Sequence, residues 1–344
     1  MISHGDIKFA QWNVEGLSTE MMKDFNFIKY VNKFNFIGLT ETWTKSESSV
    51  NLPNYSCIHK PAIKNPRKKG RSSGGVILYY KHELKKYVTQ MDSASHNFIW
   101  VKLNKCLFNL NDDIILGIVY IPPENSPYFD EGIFDKLQSD IEKYSPLGQM
   151  LCCGDFNAHT GTLLDYNNDD DVSNDSNVPL PNDYVYDDSL PKRYNMHKTV
   201  NQHGKKLTDI CINSRLRILN GRFVGDSLGY YTYVRLGKSV VDYFLSNDTL
   251  FKNIKQFNVD MISPFKTGHC LTWCSIQSNH IDTKPPKCNY QIFKPVTFQW
   301  DNANKFNYIY ALTDNSSQQL LLEIDNNPNL DANTLNEKIT NIFI

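Results

Sequence analysis

Apolar residues gather in short runs along the first 280 positions, with polar residues and glycines between them. Ile7 to Trp12 reads as a buried strand. From Met21 to Phe34 the period changes, and Met21, Phe25, Ile28 and Val31 fall on one face, which predicts a helix. Phe36 to Thr40 is again a short apolar strand. Gly75 to Tyr80, Phe98 to Leu103 and Ile114 to Ile121 are rich in Val, Ile and aromatic residues, the composition of strands. Phe129 to Tyr144 is amphipathic and predicts a helix, and Met150 to Cys153 is a strand that ends at Gly154. Gln202 to Leu216 predicts another helix. Strand-like runs follow at Ile218 to Leu219, Tyr230 to Val234, Val240 to Leu245, Phe257 to Met261 and Cys270 to Ile276. Many strands and few helices predict two sheets packed face to face with helices outside them. No fixed-period repeat is present.

Two segments break the pattern. Residues 165–188 hold eight Asp, several Asn and no Lys or Arg, and read as a disordered acidic surface loop. Past Ser278 come prolines at 285 and 286 and then polar, helix-like sequence, read as a linker and a partly helical tail over 278–344. Thr334 to Phe343 looks like a helix that reaches almost to the last residue, so a longer polypeptide is expected. Residues 1–277 form the main domain on this reading.

Composition then narrows the class. The chain has 344 residues, 40% of them hydrophobic and 12% aromatic, which excludes a disordered chain and a small disulfide scaffold. None of the eight cysteines stands in a C-x-x-C pair, so a structural zinc site is not expected and a reducing compartment is. No signal peptide and no apolar run near the ~18 residues of a membrane span is visible, so a nuclear or cytoplasmic protein without a membrane partner is expected. The formal net charge of -1 argues at first against a polyanionic partner, but it is an average. Residues 277–344 carry five Lys against seven Asp and Glu, so residues 1–276 stand at +1, and without the eight Asp of 165–188 the rest of that stretch stands at +9. A basic domain carrying a separate acidic segment suits a DNA partner.

Polar residues recur where the apolar strands end. Asn13 ends the first, Glu41 the second, Tyr120 a third and Gly154-Asp155-Phe156-Asn157 a fourth; His269 begins the last. Singly, such residues are ordinary turn formers or satisfied structural groups. Asp242 differs, because it interrupts the apolar run Val240-Val241-Asp242-Tyr243-Phe244, and a charge there must be paired. Together the three carboxylates, two amides, a phenol and an imidazole are what phosphodiester cleavage requires. Oxygen ligands hold a hard divalent ion, a carboxylate orients water, and neutral or cationic donors stabilise charge on phosphoryl oxygens.

On these motifs the sequence resembles the endonuclease/exonuclease/phosphatase superfamily, and within it the apurinic-site-like endonuclease domain of LINE-type (non-long-terminal-repeat) retrotransposons. The signatures stand as Gln-Trp-Asn13-Val-Glu-Gly, Leu-Thr-Glu41-Thr-Trp, Ser73-Gly74-Gly75-Val76, Val119-Tyr120-Ile-Pro-Pro, Cys153-Gly-Asp155-Phe-Asn157-Ala and Asn201-Gln-His-Gly204. Asn220-Gly-Arg222, Tyr231-Thr232-Tyr233 and Ser239-Val-Val-Asp242-Tyr243 complete the ordered set, over residues 6–277. The resemblance implies a four-layer α/β (α+β) sandwich, two mixed β-sheets flanked by helices. It implies a Mg2+-dependent DNA endonuclease, with Mn2+ as a substitute, that nicks one strand of double-stranded DNA to prime reverse transcription. The element's RNA and its reverse transcriptase would be the further partners. It implies that Glu41 binds the metal with Asn13 in support, that Asp155 and Asn157 position and activate water, and that Tyr120 contacts the scissile phosphate. It implies that Asp242 orients His269 and that Thr232 lies on a strand lining the DNA groove.

One motif departs from the family. Its last signature, Ser-Asp-His, reads here Thr267-Gly268-His269. Gly268 removes a carboxylate that the family keeps at the metal and phosphate centre, so impaired activity is expected, with Gly268→Asp raising it. The rival readings are a catalytically inactive nucleic-acid-binding remnant and a phosphatase or phosphodiesterase of the same superfamily. DNA contacts are expected from Lys68, Lys69 and Arg71 in the basic loop starting at Lys64, from Asn125 after the double proline, and from Arg235 with Lys238 on the hairpin around Gly237.

Overall fold

The protein is described from a computed structural model, at residues 5–45, 50–64, 72–108, 110–166, 190–235, 237–261, 265, 267–278, 319 and 322–323. Lys68, Lys69, Arg71, residues 167–188 of the acidic segment and the Thr334 to Phe343 helix lie outside those residues. The chain divides into two compact units, Met1–Thr283 and Lys284–Ile344, and every strand described lies in the first.

Twelve strands run in chain order as β1 (Asp6–Asn13), β2 (Phe36–Thr40), β3 (Tyr55–Lys60), β4 (Val76–Lys81), β5 (Val88–Met91) and β6 (Phe98–Leu103). They continue as β7 (Ile114–Tyr120), β8 (Gln149–Asp155), β9 (Leu216–Ile218), β10 (Asp242–Asn247), β11 (Ile254–Asp260) and β12 (Leu271–Gln277). They form two six-stranded sheets, ordered β11-β12-β1-β2-β4-β3 and β5-β6-β7-β8-β10-β9. Each sheet holds one parallel pair, β1 with β2 and β7 with β8, among antiparallel neighbours, so both are mixed.

The core has three apolar interfaces. Phe9, Phe36, Leu78, Val101, Leu116, Leu151 and Phe244 pack between the sheets. Helices Ile133–Tyr144 and Gln202–Asn213 cover the second sheet through Leu137, Ile141, Leu207 and Cys211. The first sheet is covered by Phe27 and Val31, which meet Trp12, Ile37 and Leu39. The layers run helix, sheet, sheet, helix, the four-layer sandwich expected.

Four local expectations change. The Met21 to Phe34 helix is two helices, Thr19–Lys23 and Phe25–Val31, because Asp24 takes an extended conformation and its carboxylate accepts from the N–H groups of Asn26 and Phe27 at 2.7 and 3.0 Å. A strong N-cap overrides a continuous apolar stripe. Tyr230 to Val234 is not a strand; Tyr233 makes isolated bridges to Ser239 and His269. The edge strands β3 and β5 were not foreseen, because their residues are mostly half-buried or exposed and carry little apolar signal. Asp165 does not belong to an acidic loop. It is fully buried, with its carboxylate accepting from the Arg222 guanidinium at 2.6 and 2.7 Å and from the Ile218 N–H at 2.7 Å.

Candidate active site

Register brings the strand-end residues together. Tyr120 of β7 and Asp242 of β10 both stand opposite Asp155 of β8, so three polar side chains align at one end of the second sheet. In the first sheet Asn13 pairs with Thr40, which places Glu41 one residue beyond the β1/β2 pair.

Asn13 ties the two sheets. Its buried amide nitrogen donates to Asp155 Oδ2 at 2.8 Å and to Glu41 Oε1 at 3.2 Å, while its oxygen accepts from the Glu15 N–H at 3.0 Å. Tyr120 donates its phenol hydrogen to the same Glu41 oxygen at 3.0 Å. Glu41 and Asn157 have φ of 49° and 46°, left-handed values that disfavour residues other than glycine by about 1–3 kcal/mol. Asn157 is held there by donating its N–H to Asp155 Oδ1 at 3.0 Å and its amide to the Ile121 carbonyl at 2.9 Å.

Asp242 faces this group from β10. One carboxylate oxygen meets His269 Nδ1 at 2.9 Å; the other accepts from the Gln11 amide at 3.1 Å. Gln11 in turn accepts from the Thr272 hydroxyl at 3.1 Å. Thr267 donates to the Asn13 carbonyl at 2.8 Å and its hydroxyl accepts the His269 N–H at 3.1 Å. The Asp242 bond occupies Nδ1, so Nε2 is the imidazole nitrogen left for chemistry.

The electrostatics follow from this crowding. Burial, with Asp242 and Glu41 nearby, raises the Asp155 carboxyl to about 8, against the lowering pull of His269 and the Asn13 amide. Burial lowers His269, but Asp242, and behind it Asp155 and Glu41, outweigh this and carry the imidazole to about 9. Burial and the adjacent carboxylates push the Tyr120 phenol well above its ordinary value, so it is a hydrogen donor at neutral pH.

Asn13, Glu41, Tyr120, Asp155, Asn157, Asp242 and His269 are thus in one connected network. Thr232 does not line a groove. It is fully buried, and its hydroxyl accepts from the N–H groups of Val241 and Asp242, both at 3.0 Å, because the segment folds under the start of β10. Asn125 and Arg235 are exposed, and Arg235 pairs with Glu15 at 2.9 Å. Sequence reasoning missed Gln11, Glu15 and Tyr233. Gln11 carried a usable signal, a polar residue inside the apolar run Phe9 to Trp12, the same signal that marked Asp242.

The donor set fits a hard divalent cation. Asp155, Asp242 and His269 each bring a ligand atom within 4.8 Å of one another, but Asp242 and His269 spend facing atoms on each other. Glu41 and Asp155 instead share one neutral amide, and a cation beside them would relieve the repulsion that raises Asp155.

The endonuclease/exonuclease/phosphatase family model matches residues 10–254. No curated protein matches the chain. Solved structures do: the AP endonuclease LMAP from Leishmania major has a TM-score of 0.54 at 15% identity, covering 79% of this chain and 88% of that one. The endonuclease domain of TRAS1, a telomere-specific non-LTR retrotransposon, has a TM-score of 0.52 at 16% identity, covering 79% and 98%. The 3′-5′ exonuclease NExo from Neisseria meningitidis has 0.50 at 12% identity, covering 78% and 99%. At such identities these likenesses establish the fold, that of hydrolytic nucleases and phosphatases. Among the described residues no helix is long and apolar enough to cross a membrane. With more than half its length matched by the family model, the chain belongs to the endonuclease/exonuclease/phosphatase family.

Proposed function

We propose that the chain is a Mg2+-dependent DNA endonuclease that nicks one strand of a duplex and leaves a 3′-hydroxyl to prime reverse transcription of a retrotransposon. The observation that carries this is the unbroken polar network from Glu41 through Asn13 to Asp155, closed on the other side by the Asp242–His269 pair. The likeness to the TRAS1 endonuclease domain supports the retrotransposon reading. That reading calls for the element's RNA and a reverse transcriptase as partners.

In this mechanism Asp155, fixed by Asn13 and the Asn157 N–H, orients the attacking water and, as the carboxylate that a neighbouring cation would favour, takes its proton. His269, held by Asp242 and protonated at neutral pH, presents Nε2–H to a phosphoryl oxygen as negative charge grows on it. Tyr120 keeps Glu41 oriented and offers its hydroxyl at the phosphate side. The water oxygen joins phosphorus as the P–O3′ bond breaks, and the leaving O3′ takes a proton from solvent, giving a 3′-hydroxyl and a 5′-phosphate. Glu41 and Asp155, with Asn13 alongside, would hold a divalent ion, which when bound would supply Lewis-acid neutralisation of the phosphate charge. Arg235 and Asn125, exposed near this end of the domain, would meet the DNA backbone together with Lys68, Lys69 and Arg71.

A phosphatase reading has one observation in its favour: a related structure is that of NExo as a 3′ phosphatase bound to product DNA hairpin. End-labelled duplex oligonucleotides separate the two. An internal nick that a polymerase extends supports the endonuclease. Release of a terminal 3′-phosphate from strands that stay uncut supports the phosphatase. Duplex binding with neither product supports an inactive remnant.

A further inference from the structure

Gly268 was judged above by the carboxylate it lacks. Its surroundings give it another meaning. A Cβ on Gly268 would lie 2.6 Å from Cε2 and 3.2 Å from Cδ2 of Tyr233, and 2.9 Å from Cβ of Arg235. Side-chain carbons do not pack that closely, so any other residue here must displace the Tyr233 ring and press on the hairpin. The ring is not loose. Tyr233 bridges to both Ser239 and His269, the Val234 N–H donates to the Gly268 carbonyl at 2.8 Å, and the Cys270 N–H donates to the Thr232 carbonyl at 2.7 Å. The stretch 232–234 is therefore pinned against 268–270. The ring itself lies 4.8 Å from the His269 imidazole, tilted by 59°.

A carboxylate does reach position 268, from another strand end. The Gly268 N–H donates to Glu15 Oε2 at 2.9 Å, and Arg235 pairs with the same oxygen at 2.9 Å. Glu15 follows Asn13 by two residues and is held by the Asn13 side chain.

We propose that Gly268 and Tyr233 are a matched pair: glycine admits the Tyr233 ring, the ring acts as a positioning residue that keeps His269 aligned on Asp242, and Glu15 brings a carboxylate to the backbone at 268. The site is on this view rebuilt around a glycine rather than disabled by it. The ring limits pivoting of an imidazole that is otherwise anchored through Nδ1, and a misplacement of about 1 Å at a reacting group costs on the order of 10²-fold in rate. The rate effects rest on the endonuclease reading; the packing does not.

The test is a double-mutant cycle read by both thermal melting and Mg2+-dependent nicking of a short duplex. Gly268→Asp is expected to lower the Tm and to cut kcat about tenfold, with a much smaller loss in both when Tyr233 is already Ala. Tyr233→Ala is expected to lower kcat about tenfold with KM within about twofold, and Tyr233→Phe to recover the rate, which separates alignment of His269 from substrate binding. Gly268→Asp nicking as fast as the unaltered chain with an unchanged Tm overturns the pairing. So do independent effects of the two substitutions, or an unchanged kcat in Tyr233→Ala. If the unaltered chain nicks no DNA, the endonuclease reading falls, and coupling in the Tm cycle alone then decides the pairing.

Discussion

Asp155 and Asp165 stand ten positions apart in the chain, and both are fully buried, yet their surroundings treat the charge oppositely. Burial acts first on Asp165 and raises it, but the Arg222 guanidinium, with Arg193 nearby, outweighs burial and holds the carboxyl below its ordinary value. Around Asp155 burial and the Asp242 and Glu41 carboxylates outweigh the His269 imidazolium, the Asn13 amide and the Asn157 N–H, so the carboxyl rises to about 8. Asp165 is satisfied and holds the fold. Asp155 is fixed in place but electrostatically incomplete, the condition expected of a group that receives a proton or a cation during turnover.

The contrast can be broken most sharply at Asp155. Asp155→Ala is expected to lower duplex nicking by roughly 10²–10⁴-fold while leaving the Tm near that of the unaltered chain, since it removes repulsion. A Tm loss as large as that of an Asp165 variant would show both carboxylates to be structural. Asp165→Ala leaves the buried Arg222 charge without its partner and should cost about 3–5 kcal/mol in urea unfolding, as is usual when one member of a buried pair is removed.

The opposite shifts also predict opposite pH dependences. Asp155 and His269 have folded values raised to about 8 and about 9, above ordinary values of 3.8 and 6.5. The folded state therefore binds more protons than the unfolded one in those windows, and the stability they contribute is lost as pH rises through about 8 and about 9. Asp165 has the reverse sign: its contribution is present above 3.8 and is lost as pH falls through its lowered folded value. In EDTA the Tm should decline from pH 6 to pH 9, and Mg2+ should restore most at the alkaline end. A flat alkaline Tm, or equal Mg2+ protection at both ends, would sink this reading of Asp155. A smaller effect is expected at Gln11. Gln11→Leu strips one of the two side-chain partners of Asp242 and should lower nicking by about 1.5–3 kcal/mol of barrier, the usual worth of a hydrogen bond to a charged group. Unchanged turnover would leave Gln11 a passive core residue.

The central strands were legible because a fully buried strand must be almost wholly apolar: Phe36 to Thr40 and Phe98 to Leu103 have the bounds their sequence predicts. The edge strands β3 and β5 were not, since half-exposed strands carry mixed sequence. Asp165 was misread with the Asp residues after it because its partner, Arg222, is 57 positions away. In the site, polar residues after apolar runs marked Asn13, Glu41, Tyr120 and Asp155. Thr232 read as surface because nothing local shows that its hydroxyl caps the start of β10. The fit of Tyr233 to Gly268 depends on contact between two segments and has no local signature at all.

The most direct measurement is conversion of supercoiled plasmid to the open circle by the unaltered chain, with Mg2+ and with EDTA, beside Asp155→Ala. The expected result is open-circular DNA with Mg2+ only and almost none from Asp155→Ala. Plasmid left intact at every Mg2+ concentration, or nicked equally well by Asp155→Ala, would contradict the assignment of Asp155 and its neighbours as a phosphodiester-cleaving centre.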